Sequence, residues 1–458
     1  MEPKIVTVKQ HPSSNNKVFL CPEIASSFEK NAFITIHYGL EKTKATIVPV
    51  KDKGVVAFSS NVWQKLNIPF PHKMHVQAKD KRLLIGPLVG IMTTGVRPHR
   101  THPVGQRTGF YTKYILTQKN IPASFFIFSP ADIISDDRVV GYFLRKQDGK
   151  LFWSRHVVPY PTAVYNRIFR QGEKMRFVHK GKRRLEQKGS KVFNPSTFNK
   201  WEIHQLIHER ADVKQYVPES VINPDLTTLK YLLQKYKMVY LKPAEGYLGL
   251  GIVQLIQQPK GVICRFNKQG RNHTRLYPSL QSLIKGMFKG KSLRKYIAQQ
   301  GIRLIHYEGR TIDFRVHANK DVHGQWKMTG AAAKMSGKGS VTTHMRTGGN
   351  VLSFDTVIRS FFSNKQYEKV YENMKEAVIL LANAIEESVS GYVGDIGFDI
   401  GIDQQGRPWM FEANSQPGRH VFAHPSMRES ELLTRKGILE YALYLSGFGF
   451  TQKEVISS

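Results

Sequence analysis

The sequence predicts an α+β protein in three units: a β-rich, barrel-like module over residues 1–87, a small α/β unit over 88–192, and a longer segment over 193–452 that carries the candidate chemistry. Three observations predict this division. A strand, turn and strand pattern occurs twice in the first unit, apolar runs alternate with helix-compatible sequence in the second, and a long amphipathic helix precedes an acidic strand pair in the third. The chain of 458 residues has room for several cores, and 41% hydrophobic with 11% aromatic residues excludes disorder of the whole.

In the first unit, Val18, Ile24 and Phe28 have counterparts 38 residues later in Val56, Val62 and Leu66, and the alternating Ile34, Ile36, Tyr38 recurs at the same offset as His72, Met74, Val76. A strand, a short helical turn and a second strand used twice give a pseudo-twofold barrel. The second unit opens on a buried-looking strand over 83–92, followed by a helix over 110–118 and strands over 124–128 and 139–143. Residues 167–191 hold ten basic and two acidic side chains and read as a basic linker. Phe152, Trp153, Tyr165, Phe169 and Phe177, in the basic and aromatic stretch 141–191, read either as core or as base-stacking groups. In the third unit, Val370, Met374, Val378, Leu381, Ile385 and Val389 line one face of a helix that Gly391 stops.

Charge is the abnormal quantity: 68 Lys+Arg against 35 Asp+Glu give +33, a field that attracts polyanions. The sign reverses over 386–418, where six acidic residues face the single Arg407, and an acidic island in such a protein suggests a local cation. Two cysteines, Cys21 and Cys264, exclude a disulfide framework or a four-thiolate zinc site. The N-terminus lacks the apolar core of a signal peptide and no run has the 18 apolar residues of a membrane span, so a soluble, cytoplasmic protein is expected.

Two motifs are decoys. Residues 286–292 resemble a P-loop but have three residues between the glycines where four are required, and His204 and His208 lack the Glu that a zincin places after its first His. The glycines of Gly246-Tyr-Leu-Gly249-Leu-Gly251 instead join two strands, as in a hairpin lid whose backbone N–H groups close over phosphates, and Lys242 at the end of the leading strand would aim a cation at the same anion. Asn199 and Glu202 have capping-box spacing, which sets Lys200 in a first helical turn where the macrodipole disfavours a cation unless a phosphate is bound there.

The sharpest signal is the pair of runs 393–403 and 408–414. In the first, Ile396, Phe398, Ile400 and Ile402 alternate with Asp395, Asp399 and Asp403; in the second, Trp409, Phe411 and Ala413 alternate with Met410, Glu412 and Asn414. With 404–407 as the loop, Asp403 pairs with Pro408, Asp399 faces Glu412, and Gly397 faces Asn414. Facing carboxylates repel unless a divalent ion lies between them, and an all-oxygen set with few protein ligands suits Mg²⁺. The alternative is a surface hairpin carrying incidental acids.

These residues resemble the ATP-grasp superfamily over about 193–450, and specifically its YheC/YheD-like, endospore coat-associated family; the preceding unit is similar to a pre-ATP-grasp domain. The resemblance implies ATP held between two α+β subdomains, with Lys200 and Lys242 on its phosphates, the Gly246, Gly249 and Gly251 hairpin above them, and 296–302 as the adenine hinge, represented by Gln299, Gln300 and Ile302. It implies Asp399, Glu412 and Asn414 as Mg²⁺ ligands, and Arg315 of the Asp313-Phe-Arg315 element, Lys334 and Arg346 as catalytic groups. Relatives that ligate amino acids often have Arg where this chain has Gly397, and relatives of the ribosomal-modification type often have Asn where it has His344. Three readings follow: an ATP-dependent carboxylate–amine or carboxylate–thiol ligase working through an acyl phosphate on unidentified carboxylate and amine substrates; a non-catalytic nucleotide-binding coat or morphogenetic protein on an anionic polymer or spore surface; and a nucleic-acid-binding protein.

Overall fold

The computed structural model describes residues 2–117, 119, 121–244, 250–288, 293–337, 340 and 350–449. Its first unit is a closed barrel of β1 (Lys4–His11), β2 (Lys17–Leu20), β3 (Phe33–Tyr38), β4 (Glu41–Pro49), β5 (Val55–Ser59), β6 (His72–Lys79) and β7 (Arg82–Gly86). The strands run β1-β5-β2-β4-β3-β7-β6 around the barrel, with β6 returning to β1. Short helices α1 (Pro22–Ala25) and α2 (Ser60–Leu66) follow β2 and β5, as the repeat predicts. The matched apolar residues Val18, Ile24, Ile36 and Val56, Val62, Met74 all enter one core. His72 breaks the repeat because it leaves that core and hydrogen-bonds Ser124 of the next unit at 2.6 Å.

That next unit is a six-stranded mixed sheet of β8 (Leu88–Met92), β9 (Ser124–Phe128), β10 (Arg138–Gln147), β11 (Lys150–Pro159), β12 (Ala163–Asn166) and β13 (Lys191–Phe193), in the order β11-β10-β9-β8-β12-β13. Helices α3 (Thr108–Thr117), α4 (Arg170–Glu173) and α5 (Arg176–Lys188) accompany it. Two expectations change here. The run 83–92 is two strands, since Gly86 and Pro87 hand the chain from β7 in the barrel to β8 in the sheet. The basic stretch is no linker: α5 buries Val178, Gly181, Lys182 and Leu185, and the buried Lys182 pairs with Glu173 at 2.9 Å. Barrel and sheet also share one continuous hydrophobic cluster, joined by Leu40 N to Tyr160 O at 2.9 Å and Arg138 to Glu41 at 2.7 Å.

The third unit holds two antiparallel sheets. After α6 (Lys200–Glu209), the first is built from β14 (Ser220–Ile222), β15 (Met238–Pro243), β16 (Val253–Gln258), β17 (Gly261–Lys268), β18 (Arg271–Tyr277) and β19 (Tyr296–Gln300), in the order β14-β19-β15-β16-β17-β18. Helices α7 (Leu226–Tyr236) and α8 (Leu280–Phe288) share its core. The second sheet runs β23 (Asn350–Ser353), β22 (Trp326–Met335), β21 (Arg310–Lys320), β24 (Asp395–Ile402) and β25 (Pro408–Asn414), with β20 (His306–Tyr307) paired to β21. Its apolar face packs on α9 (Phe354–Phe361) and α10 (Asn364–Ser388), and the predicted stripe Val370, Met374, Val378, Leu381 and Ile385 is what α10 buries. Helix α11 (Arg428–Leu445) joins the α/β unit to this sheet: Ile438 and Leu439 share a core with Val89 and Tyr165. Among the described residues no helix is long and apolar enough to cross a membrane.

Candidate functional site

The acidic hairpin pairs Asp399 with Glu412 and Gly397 with Asn414, as the alternation predicts, but by a different route. The loop is one residue longer than expected, so that Pro408 pairs with Ile402, and a bulge between Asp399 and Ile400 restores the register at the carboxylates. Phe411 is the extra residue. The predicted faces of the second strand are therefore corrected: Met410 joins Ala413 in the core, while Glu412 and Asn414 stay on the polar side. Of Asp395 and Asp399 on β24 and Asp403 just past its end, only Asp399 belongs to the site. Asp403 closes its own loop, accepting from the backbone N–H of Gln405 at 3.0 Å and Arg407 at 2.9 Å and from Trp409 Nε1 at 2.9 Å.

Strand alternation builds a row of charges across four strands. Lys334 on β22 faces Asp313 on β21, Arg315 faces Asp399, and Asp399 faces Glu412, while Phe314, Ala333 and Phe398 turn to the core. Lys334 Nζ lies 3.1 Å from Asp313 and 3.0 Å from Asp399; Arg315 approaches Asp399 through Nε at 2.9 Å and donates from Nη2 at 3.3 Å. Burial alone would raise the Asp399 pKa, but Arg315 and Lys334 outweigh it and hold the carboxyl at about 2. Burial would likewise lower Lys334, and Asp313 and Asp399 instead raise it. Gly397 makes room for the row: a Cβ there would stand 2.4 Å from Pro417 Cβ and 3.3 Å from Arg315 Nη1. The guanidinium of Arg315 thus lies beside Gly397.

Lys200 opens α6 as expected, with Asn199 accepting from Trp201 N at 3.1 Å; Glu202 holds the Asn199 side-chain amide at 2.7 Å and not its backbone. Lys200 Nζ pairs with Glu412 at 3.1 Å, which sets a carboxylate beside the helix start. His204 and His208 stack with ring centroids 6.3 Å apart, and burial, with the charges of His208 and Lys242, pushes His204 down to about 4.

The first sheet contributes Lys242. Its ammonium is bonded to Gln299 Oε1 and lies 5.3 Å from the Phe411 ring centroid, so the bulged residue is where the two sheets meet. Burial lowers the Lys242 pKa to about 8, with Glu412 opposing the shift. Gln299 also donates to Ser220 Oγ at 3.0 Å, and Gln300 Oε1 accepts from Glu219 N at 3.1 Å, so both glutamine side chains serve the sheet. Backbone pairing continues to Gly301, whose N–H donates to Met238 O at 2.9 Å. Ile302 is the next residue, and its N–H takes no backbone partner among the described residues before Ile305 N reaches Ile402 O on the second sheet. Gly251 has φ +75°, and a Cβ there would approach Pro243 Cγ at 2.9 Å. Gly246, Gly249, His344 and Arg346 lie outside the described residues.

Among the described residues no three His, Cys, Asp or Glu side chains converge as a metal cage. The candidate set is two carboxylates and one amide, a donor chemistry that fits Mg²⁺ retaining waters and taking further ligands from phosphates. A cavity of about 320 Å³ adjoins it, lined by Phe169 and Gln171 from the α/β unit and by Phe198, Lys200, Asn414 and Gln416. Beneath lies a cluster that sequence reading missed: buried Asp395 accepts from Arg419 at 2.9 Å, Tyr165 at 2.6 Å and Asn319 at 3.0 Å. Its members are scattered from 165 to 419, so no local pattern could have assembled them.

A family model described as YheC/D like ATP-grasp matches residues 189–445. Over its full length the chain is 31% identical to the endospore coat-associated protein YheD of Bacillus subtilis (strain 168), covering 99% of that protein. It is 24% identical to the endospore coat-associated protein YheC of the same organism, over 61% of this chain and 77% of that one. Among solved structures, the C-terminal domain of K. lactis Pby1, an ATP-grasp enzyme, aligns with TM-score 0.43 and 14% identity over 78% of this chain and 92% of that one.

Proposed function

The chain belongs to the YheC/D-like ATP-grasp family, and from that premise we propose that it binds Mg²⁺–ATP between its two antiparallel sheets and uses it to activate a carboxylate. The observation that carries this reading is the facing pair Asp399 and Glu412, surrounded by Arg315, Lys334 and Lys200, with Lys242 reaching in from the other sheet. Lys242 and Lys200 hold the phosphates, and the chain leaving β19 at Ile302 offers its backbone to adenine. Asp399, Glu412 and Asn414 hold Mg²⁺, which when bound neutralises phosphate charge.

In the reaction a substrate carboxylate oxygen attacks the γ-phosphorus, the bond to the β-phosphate bridging oxygen breaks, and ADP leaves with an acyl phosphate remaining. An amine or thiol then attacks the acyl carbon and expels inorganic phosphate. Arg315 and Lys334 stabilise the charge that develops on the transferred phosphoryl group. The acceptor enters the cavity that Phe169 and Gln171 of the α/β unit line together with Asn414 of the hairpin. A second reading, a nucleotide-binding coat protein without ligase turnover, is favoured by the relationship to YheD, and spore-coat association of this chain is proposed on that same ground.

A screen of ADP release against amino acids, peptides and wall precursors separates the two. The ligase reading expects release that depends on one acceptor class and is lost in Lys334→Met. ATP binding with acceptor-independent background release throughout the screen would favour the coat protein.

A further inference from the structure

Helix α5 carries a second concave surface, remote in sequence from the acidic hairpin. A groove of about 570 Å³ is lined by Asp136, Arg176, His179, Lys180, Arg183 and Arg184, together with Gln187. Arg176, His179, Lys180, Arg183 and Gln187 recur at three- and four-residue spacing, so they share one face of the helix. The opposite face is fixed: Val178 and Leu185 are buried, and Gly181 sits so close to Pro130 that a Cβ would stand 2.7 Å from Pro130 Cβ.

Not all of the basic residues are available. Lys182 is buried and paired with Glu173, and Arg184 is paired with Asp136 at 2.6 Å, so charge reversal at these two tests the fold more than the surface. Arg176, Lys180 and Arg183 are exposed, and among the described residues none has a carboxylate within ion-pair distance. The first turn of α5 also lacks an acid, so Arg176 stands where the helix dipole opposes a cation. Like charges gathered along a groove and at the unfavourable helix end reduce stability, and the one acid in the groove is already neutralised by Arg184.

We propose that this groove binds successive phosphates of a polyol-phosphate chain, a phosphodiester polymer without bases. The span from Arg176 to Arg183 is about 10 Å along the helix, longer than one phosphate group. Among the described residues no Phe, Tyr or Trp lines the groove and its one ring is the imidazole of His179; Trp153 and Tyr165 are buried in the core, and the exposed Phe169 and Phe177 are not lining residues, which disfavours single-stranded nucleic acid. A flat bilayer would meet the exposed Met175 and Phe177, which are not groove residues.

Fluorescence anisotropy of labelled poly(glycerol phosphate) with the full-length protein, across a salt series, tests the proposal. The triple variant R176E/K180E/R183E is expected to bind at least tenfold more weakly, with the log–log salt slope reduced by about two for three lost phosphate contacts, and to keep wild-type ATP affinity. Should the triple variant fail to fold, K180Q and R183Q, which preserve helix propensity, are each expected to weaken binding about threefold. Wild-type affinity and slope in the charge-reversed or glutamine variants would overturn the proposal. So would tighter, groove-dependent binding of poly(U) RNA or of phosphatidylglycerol vesicles than of poly(glycerol phosphate).

Discussion

At the scale of the residue, Lys242 sets the pH behaviour. Its pKa falls from the ordinary lysine range to about 8 because burial disfavours the ammonium. A bound phosphate favours that ammonium and raises the pKa again, so ATP binding takes up a proton wherever free Lys242 is neutral. Affinity for Mg²⁺–ATP should be nearly flat below pH 8 and fall about tenfold per pH unit above it, until the pKa of the complex is reached. Calorimetry in buffers of different ionisation enthalpy checks this, since proton uptake near one at pH 9 and near zero at pH 7 is expected; no uptake at either pH would remove Lys242 from the phosphates. The residues of this site were largely legible because period-two alternation isolates Asp399 and Glu412 from their apolar neighbours. Phe411 was misassigned because strict alternation has no place for a bulge, and the ion pairs of Arg315 and Lys334 with Asp399 depend on strand order, which alternation alone does not fix.

Among the elements, α10 was read from its apolar spacing, and the reason is visible in the core: Met374, Val378 and Leu381 are almost wholly buried against the second sheet. Leu381→Ala should therefore cost about 2–5 kcal/mol in denaturant unfolding, through lost burial and the cavity left behind. A loss under about 1 kcal/mol would mean that the helix can close over the gap or is not tightly packed there. The stretch 167–191 was misread because charge density looks alike in a linker and on a helix whose narrow apolar stripe, here Val178 and Leu185, is enough to dock it. The run 83–92 was misread because an apolar run carries no mark of which sheet each half joins.

Across the whole molecule, the units are tied together by buried polar groups and shared cores. Asp395 on β24, Tyr165 of the α/β unit and Arg419 before α11 form one such tie, with Asp395 and Tyr165 fully buried. Asp395→Asn should destabilise the protein by about 3–5 kcal/mol because it strands the buried Arg419 charge; thermal melts that overlay the wild type would refute the tie. The barrel shares its core with the second unit, so a chain beginning at Leu83, which also cuts through β7, is expected to be poorly soluble, contrary to an independent module. The site itself needs the molecule assembled, since its lysines and carboxylates come from α6 and from both sheets. Calorimetric titration of ATP with and without Mg²⁺ into the wild type and Glu412→Gln is the most direct test of that site. Tight binding only with Mg²⁺, weakened about tenfold or more in Glu412→Gln, is the predicted result; equal affinity in both proteins, or binding indifferent to Mg²⁺, would contradict it.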